Sequence, residues 1–168
     1  MGYVMDTAMS QLTPLKAVTP TVGTWTEAVA SHIWTLNHTA AADTSVLKIP
    51  IFLPGNSAAL KGAYLKSIDV WYSIGTLAAT DVNGALYQAT LPAQAGTLAT
   101  AAVAVTNDAG HQSAANRGAI AQHQMTFTLN TPIWVPAAAD VLLELTVQAT
   151  ATAVIALQGA RANYTLRM

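Results

Sequence analysis

Four histidines and eight carboxylates are the side chains of this sequence best suited to acid–base or metal chemistry. His111 and His123 flank a polar segment, Asn107 to Gln122, where they could meet Asp108 in space. Their spacing matches no ligand pattern of the HxH or HExxH kind, so solvated loop histidines are the simpler reading. Arg117 lies between them. Loops of this length in compact domains are usually functional or mobile, which makes His111, Arg117 and His123 the candidate functional loop. His32 and His38 share strand parity but would stand about 20 Å apart on a regular strand, too far to hold one metal ion. The carboxylates are scattered singly, so no glycosidase pair can be picked out, and Asp69 and Glu144 read as outward-facing strand residues. GxSxG, P-loop and GxGxxG patterns are absent. Cysteine is absent too, which removes disulfides and thiolate metal sites. The expectation is a non-enzyme with no catalytic residue, no cofactor and no metal.

Recognition chemistry is the other possibility the side chains offer. Trp25, Trp34, Trp71 and Trp134 could stack on pyranose rings if one sheet face exposes them, with Asn, Gln or Asp meeting the hydroxyls. Trp71, on the more polar side of its strand, is the best placed. Isolated tryptophans in all-β domains are more often core or interface anchors, so a lectin-like carbohydrate-binding module is the alternative. Arg161 and Arg167 near the end of the chain either pair with acidic groups of another subunit or are solvated edge-strand charges. Trp71, Arg161 and Arg167 are therefore the candidate interface.

The elements that must position these residues read as β-strands. Within Lys61 to Pro92, Ile68, Val70, Tyr72 and Ile74 fall on a core face, while Leu65, Ser67, Asp69, Trp71 and Ser73 fall on a mixed one. Asn83-Gly84 suits a type I′ turn, so the stretch reads as a hairpin, with the linker from Gly75 as a longer loop otherwise. Leu47, Ile49, Ile51 and Leu53 alternate, and Pro50 places that strand at an edge or a bulge. Thr97 to Thr106 is either a strand or a short helix. Met125, Phe127 and Leu129 alternate, as do Val141, Leu143, Leu145 and Val147. Val154 to Leu157 and Ala162 to Met168 make one long strand or two, with Gly159 permitting a bulge. About eight strands separated by turn signals predict an all-β fold, an antiparallel β-sandwich of the jelly-roll type ahead of a lipocalin-like barrel.

Residues 1–24 carry no sustained alternation and read as an N-terminal arm ahead of one sandwich domain, 25–168. Met1, Met5 and Met9 recur at helical spacing, and with Tyr3 they are the candidate attachment residues. A docking arm and a frayed terminus fit this segment equally.

Charge is the unusual global property. Of 168 residues only 9% are charged, against about 25% in ordinary soluble domains. A monomer of this mass exposes roughly 7,900 Å², so either Thr, Ser, Asn and Gln carry solubility or part of the surface is covered by other copies. A net charge of −1 without basic clusters argues against nucleic acid as a partner. No apolar run is long enough to span a membrane, and the N-terminal residues lack signal-peptide features, so synthesis in the cytoplasm is expected.

Several stretches resemble small β-rich virion proteins of tailed bacteriophages: Lys61-Gly62 and Lys66 to Gly75, Tyr87 to Pro92, Asp140 to Val147, and Gly159 to Leu166. The resemblance runs from about Ala41 onward and lies in strand patterns. It implies a self-assembling, non-enzymatic structural subunit of a virion, a homo-oligomer and most often a trimer of jelly rolls. Such a subunit decorates a capsid or builds a fibre or tail. Its partners would be other virion proteins such as a major capsid or tail protein, with the arm as attachment element. A glycan partner is the less favoured expectation.

Overall fold

The computed structural model describes residues 6–30, 33–54, 63–92 and 96–167. Twelve strands are described: β1 (Asp6–Thr13), β2 (Thr19–Val22), β3 (Trp25–Ala30), β4 (Ile33–His38), β5 (Thr44–Ile51), β6 (Ala63–Gly75), β7 (Asp81–Thr90), β8 (Ala99–Val103), β9 (Val105–Asn107), β10 (Gln122–Val135), β11 (Ala139–Gln148) and β12 (Val154–Arg167). They form two antiparallel sheets. One runs β3-β4-β12-β6-β10-β9 with β1 also on β12, and the other runs β2-β5-β11-β7-β8. The strands β4, β5, β6, β7, β8, β10, β11 and β12 form the jelly roll. The first, eighth, third and sixth of them share one sheet, and the second, seventh, fourth and fifth share the other. The four remaining strands extend the edges of this frame.

The core lies between the sheets, where the period-two pattern places it. Leu47, Ile49 and Ile51 face Val141, Leu143, Leu145 and Val147 within one sheet. Across from them lie Ile68, Val70, Tyr72 and Ile74 of β6, with Met125, Phe127 and Leu129 of β10, all buried. Each such side chain contributes on the order of 1.5–3 kcal/mol through the water it leaves. Leu65 is a correction, since it is fully buried although the alternation put it on the mixed face rather than the core face. The pairing of β6 slips on both sides near Lys66 and Ser67, so the parity of the strand reverses there. Gly159 behaves as expected. β12 is one continuous strand with a register shift between Leu157 and Gly159.

The expected hairpin does not form. β6 and β7 belong to different sheets, and residues 76–80 carry the chain across the sandwich. Asn83 and Gly84 lie inside β7, opposite Thr146 and Leu145. Glycine is needed at 84 for packing, because a Cβ there would overlap the Phe127 ring.

The described part of the expected arm is built into both sheets. β1 pairs with β12 from Asp6 opposite Arg167 to Thr13 opposite Ala160, and β2 pairs with β5. Met9 is an exposed strand residue, so it has no helical stripe around it, whereas Met1, Tyr3 and Met5 lie outside the described residues. Pro50 is at an open edge as expected. β2 reaches only Lys48, and the Thr13 hydroxyl donates to the Pro50 carbonyl at 3.0 Å. Thr97 to Thr106 contains strands, and the polar segment after it carries a 3-10 turn, Ala109–His111, and the short helix α1 (Ala114–Arg117). Among the described residues no helix is long and apolar enough to cross a membrane.

Candidate functional site

The segment after β9 is a closed network of side chains. Asp108 accepts hydrogen bonds from the Gly110 and Thr126 amides at 2.9 and 2.8 Å, which fixes the start of the 3-10 turn against β10. Its carboxylate also faces His111 Nδ1 at 2.8 Å. His111 Nε2 is 3.1 Å from His123 Nδ1, and His123 Nε2 is 2.9 Å from the Ala119 carbonyl. Both ends of this chain are acceptors. Three donated protons are needed across the four ring nitrogens, one more than two neutral imidazoles carry. Burial raises the Asp108 carboxyl, but the Thr126 amide and His111 outweigh it and hold the group below its ordinary range.

Arg117 ties the segment to β7. It is 8% exposed, and its guanidinium holds Asp81 through two contacts of 2.8 and 3.0 Å. The same group donates to the His111 and Gln112 carbonyls, and the Arg117 carbonyl accepts from the Tyr72 hydroxyl at 2.8 Å. The Tyr72 ring stacks on His123 with centroids 4.6 Å apart, and burial pushes its phenol well above the ordinary range. Gly118 completes the docking, because a Cβ there would strike the Ala79 carbonyl. His111, Arg117 and His123 are thus brought together, and the solvated-histidine reading is overturned. All four ring nitrogens are engaged inside the cluster, so its chemistry is that of a clamp. Among the described residues no group of three or more His, Cys, Asp or Glu could hold a metal ion.

A second network lies on the outer face of the seven-stranded sheet. Asp69 is only 4% exposed although its side chain points away from the core. Arg161, Asn163 and Thr126 all donate to it, at 2.8, 2.9 and 2.7 Å. Burial raises its carboxyl, and these hydrogen bonds with the Arg161 charge more than offset that, leaving it below the ordinary range. The Arg161 guanidinium also sits 5.0 Å over the Trp71 ring. Arg161 therefore meets an acid of its own chain, and one face of Trp71 is covered. Arg167 pairs through its backbone with Asp6, and its side chain is outside the described part. His38 is buried against Asp43 at 2.9 Å, and His32 lies outside the described residues.

The open face of the five-stranded sheet carries a groove of about 670 Å³. Cross-strand register builds it row by row. Lys48 stands opposite Glu144, then Pro50, Leu142, Tyr87 and Ala102 follow across four strands, then Asp140, Ala89 and Thr100. Phe52, 45% exposed, closes one end. Ala85 and Ala89 flank Tyr87 on its own strand and Ala102 stands beside it, so small side chains leave the phenol ring standing in the groove. Lys48 and Glu144 form an ion pair on the wall. Glu144 is outward-facing, as its parity predicts.

Tyr87, Phe52, Lys48 and Asp140 carry no motif. Their only signal is the outward phase of three separate alternations, and register between strands distant in sequence is needed to unite them.

No protein-family model and no curated protein matches the chain. Similar solved structures are β-rich, at low identity. TmCBM61, solved with β-1,4-galactotriose, is 12% identical over 96% of this chain and 88% of that one, with a TM-score of 0.38. The carbohydrate esterase vb_24B_21 of Shiga toxin-encoding bacteriophage phi24B is 16% identical over 89% of this chain and 91% of that one, with a TM-score of 0.38. The enzymatically active domain of bacteriophage CBA120 tailspike protein 4 is 9% identical over 93% of this chain and 19% of that one, with a TM-score of 0.34. At these values the likeness bears on neither substrate nor activity.

Proposed function

We propose that the chain is a non-catalytic binding module that takes a carbohydrate on the open face of its five-stranded sheet. The observation that carries this reading is the groove around Tyr87. An aromatic ring stands between small residues, with Phe52 at one end and the charged groups Lys48, Glu144 and Asp140 along the sides. A sugar presents an apolar ring face that stacks on such a phenol and hydroxyls that exchange hydrogen bonds with carboxylates and ammonium groups. Trp71 is less suited to this role because Arg161 lies over its ring.

Affinity electrophoresis through gels containing neutral polysaccharides or bacterial lipopolysaccharide tests the proposal. Retardation by at least one of them is expected, with Tyr87→Ala lowering the apparent affinity about tenfold or more, as for loss of a well-packed aromatic contact. Wild-type protein that runs freely through all of them, or a Tyr87→Ala variant retarded as strongly as wild type, sinks it.

A self-assembling virion subunit is the second reading, favoured by a different surface. β12 hands its partner over from β4 to β1 near Gly159, and the cleft left there is lined by Leu12, Pro14, Leu15 and Trp34, with the Lys16 ammonium 4.5 Å from the Trp34 ring centroid. Leu12 is 67% and Trp34 43% exposed, and Val29 stands beside Trp34 on β3. An exposed apolar surface of this kind suits burial against another virion protein.

A further inference from the structure

We propose that β8 is the edge through which two copies of the chain join, antiparallel and about a two-fold axis. Among the described residues, strands β3 and β9 end one sheet and β2 and β8 end the other, while β1 leaves one side open beside β12. Sheet edges are kept from pairing by charge, proline, shortness or bulges. β3 carries Glu27, β1 begins at Asp6, β2 holds Pro20, and β9 has three residues. β8 reads Ala-Thr-Ala-Ala-Val and has neither a charge nor a proline. The sequence from Val82 through Asn107 contains no charged residue at all.

The side chains of β8 suit a second copy of the same strand. Ala99 to Ala102 are exposed and small, so among the described residues nothing bulky screens the backbone N–H and C=O groups on the side away from β7. Antiparallel self-pairing centred on Ala101 sets each Thr100 against Ala102 of the copy and brings no like charges together. The two-fold operator returns each edge to itself and closes the assembly at two copies. Thr100 also lines the Tyr87 groove, so the two grooves come to lie on one continuous face. The pairing does not depend on what the groove binds.

Light scattering coupled to size exclusion tests this on the full chain, on Ala101→Lys, on Ala101→Glu and on an equal mixture of the two variants. A wild-type dimer is expected, with each variant alone monomeric, since like charges would face each other across the axis about 5 Å apart at Cβ. Mixing should restore the dimer, because Lys then faces Glu, and that restoration requires both variants to be folded. A monomeric or trimeric wild type overturns the proposal. So does a dimer that Ala101→Lys leaves intact, or a pair of variants that stay apart on mixing.

Discussion

Replacing Arg117 by alanine removes the guanidinium that joins α1 to β7. Asp81 then keeps its charge without a partner, and the His111 and Gln112 carbonyls lose a charged donor. Removing one partner of a buried ion pair costs about 3–5 kcal/mol. The Asp81 side chain is 19% exposed, so water recovers part of that loss and about 3 kcal/mol is expected. With a urea dependence of about 2 kcal/mol per molar, the unfolding midpoint should fall by about 1.5 M. Arg117→Lys keeps the charge but loses the fork, and should fall roughly half as far. Hydrogen exchange localises the effect. The Ala79 amide donates to the Gly118 carbonyl and the Gly118 amide to the Ala114 carbonyl, so both should exchange faster than core amides such as that of Leu143. A midpoint shift below about 0.3 M with unchanged exchange at 79 and 118 would refute the clamp.

Two further outcomes follow from the same packing and charges. Gly84→Ala should lower stability by about 1–3 kcal/mol through its overlap with Phe127, and the companion change Phe127→Leu should recover part of it; a neutral Gly84→Ala in thermal unfolding contradicts the packing argument. Asp69 and Asp108 both have folded-state carboxyls below their ordinary range, so the unfolded chain binds more protons at acid pH. Their stabilisation is fully present above the unfolded value of about 3.9 and is lost as pH falls through the lower folded values. Urea midpoints between pH 7 and pH 3 should therefore fall less steeply for Asp69→Asn with Asp108→Asn than for wild type, and equal slopes would count against both networks.

Core faces were legible because burial on one side of a strand writes itself as alternation. Leu47 to Ile51, Met125 to Leu129 and Val141 to Val147 are examples, and each is buried where its phase places it. Pairing was not legible at β6 and β7. A hairpin and a crossing between sheets have the same local sequence, and the turn chemistry of Asn83-Gly84 was outweighed by the distant Phe127 ring. β1 and β2 escaped notice because edge strands exposed on both faces have no alternation to show, as the almost fully exposed Asp6–Leu12 illustrates. The clamp was half visible. His111, Arg117 and His123 stood out by type, but Tyr72 and Asp81, which make them a network, are joined to them only by the fold.

The distribution of charge carries the assembly argument further than composition does. Asp69, Asp81 and Glu144 each face a fixed positive charge of the same chain, so three of the eight carboxylates are already neutralised locally. Lys48, Arg117 and Arg161 are their cationic counterparts. The charge that reaches solvent without a near opposite is therefore sparser than 9% suggests, and it is missing altogether from Val82 to Asn107. A surface of that kind gives little repulsion between copies. Where contact occurs it is then chosen by geometry, and β8 offers an unprotected row of backbone groups while the Tyr87 groove offers a shaped one. The first would suit an identical strand and the second a ring with hydroxyls, so the proposed self-pairing and the proposed ligand would call on different atoms.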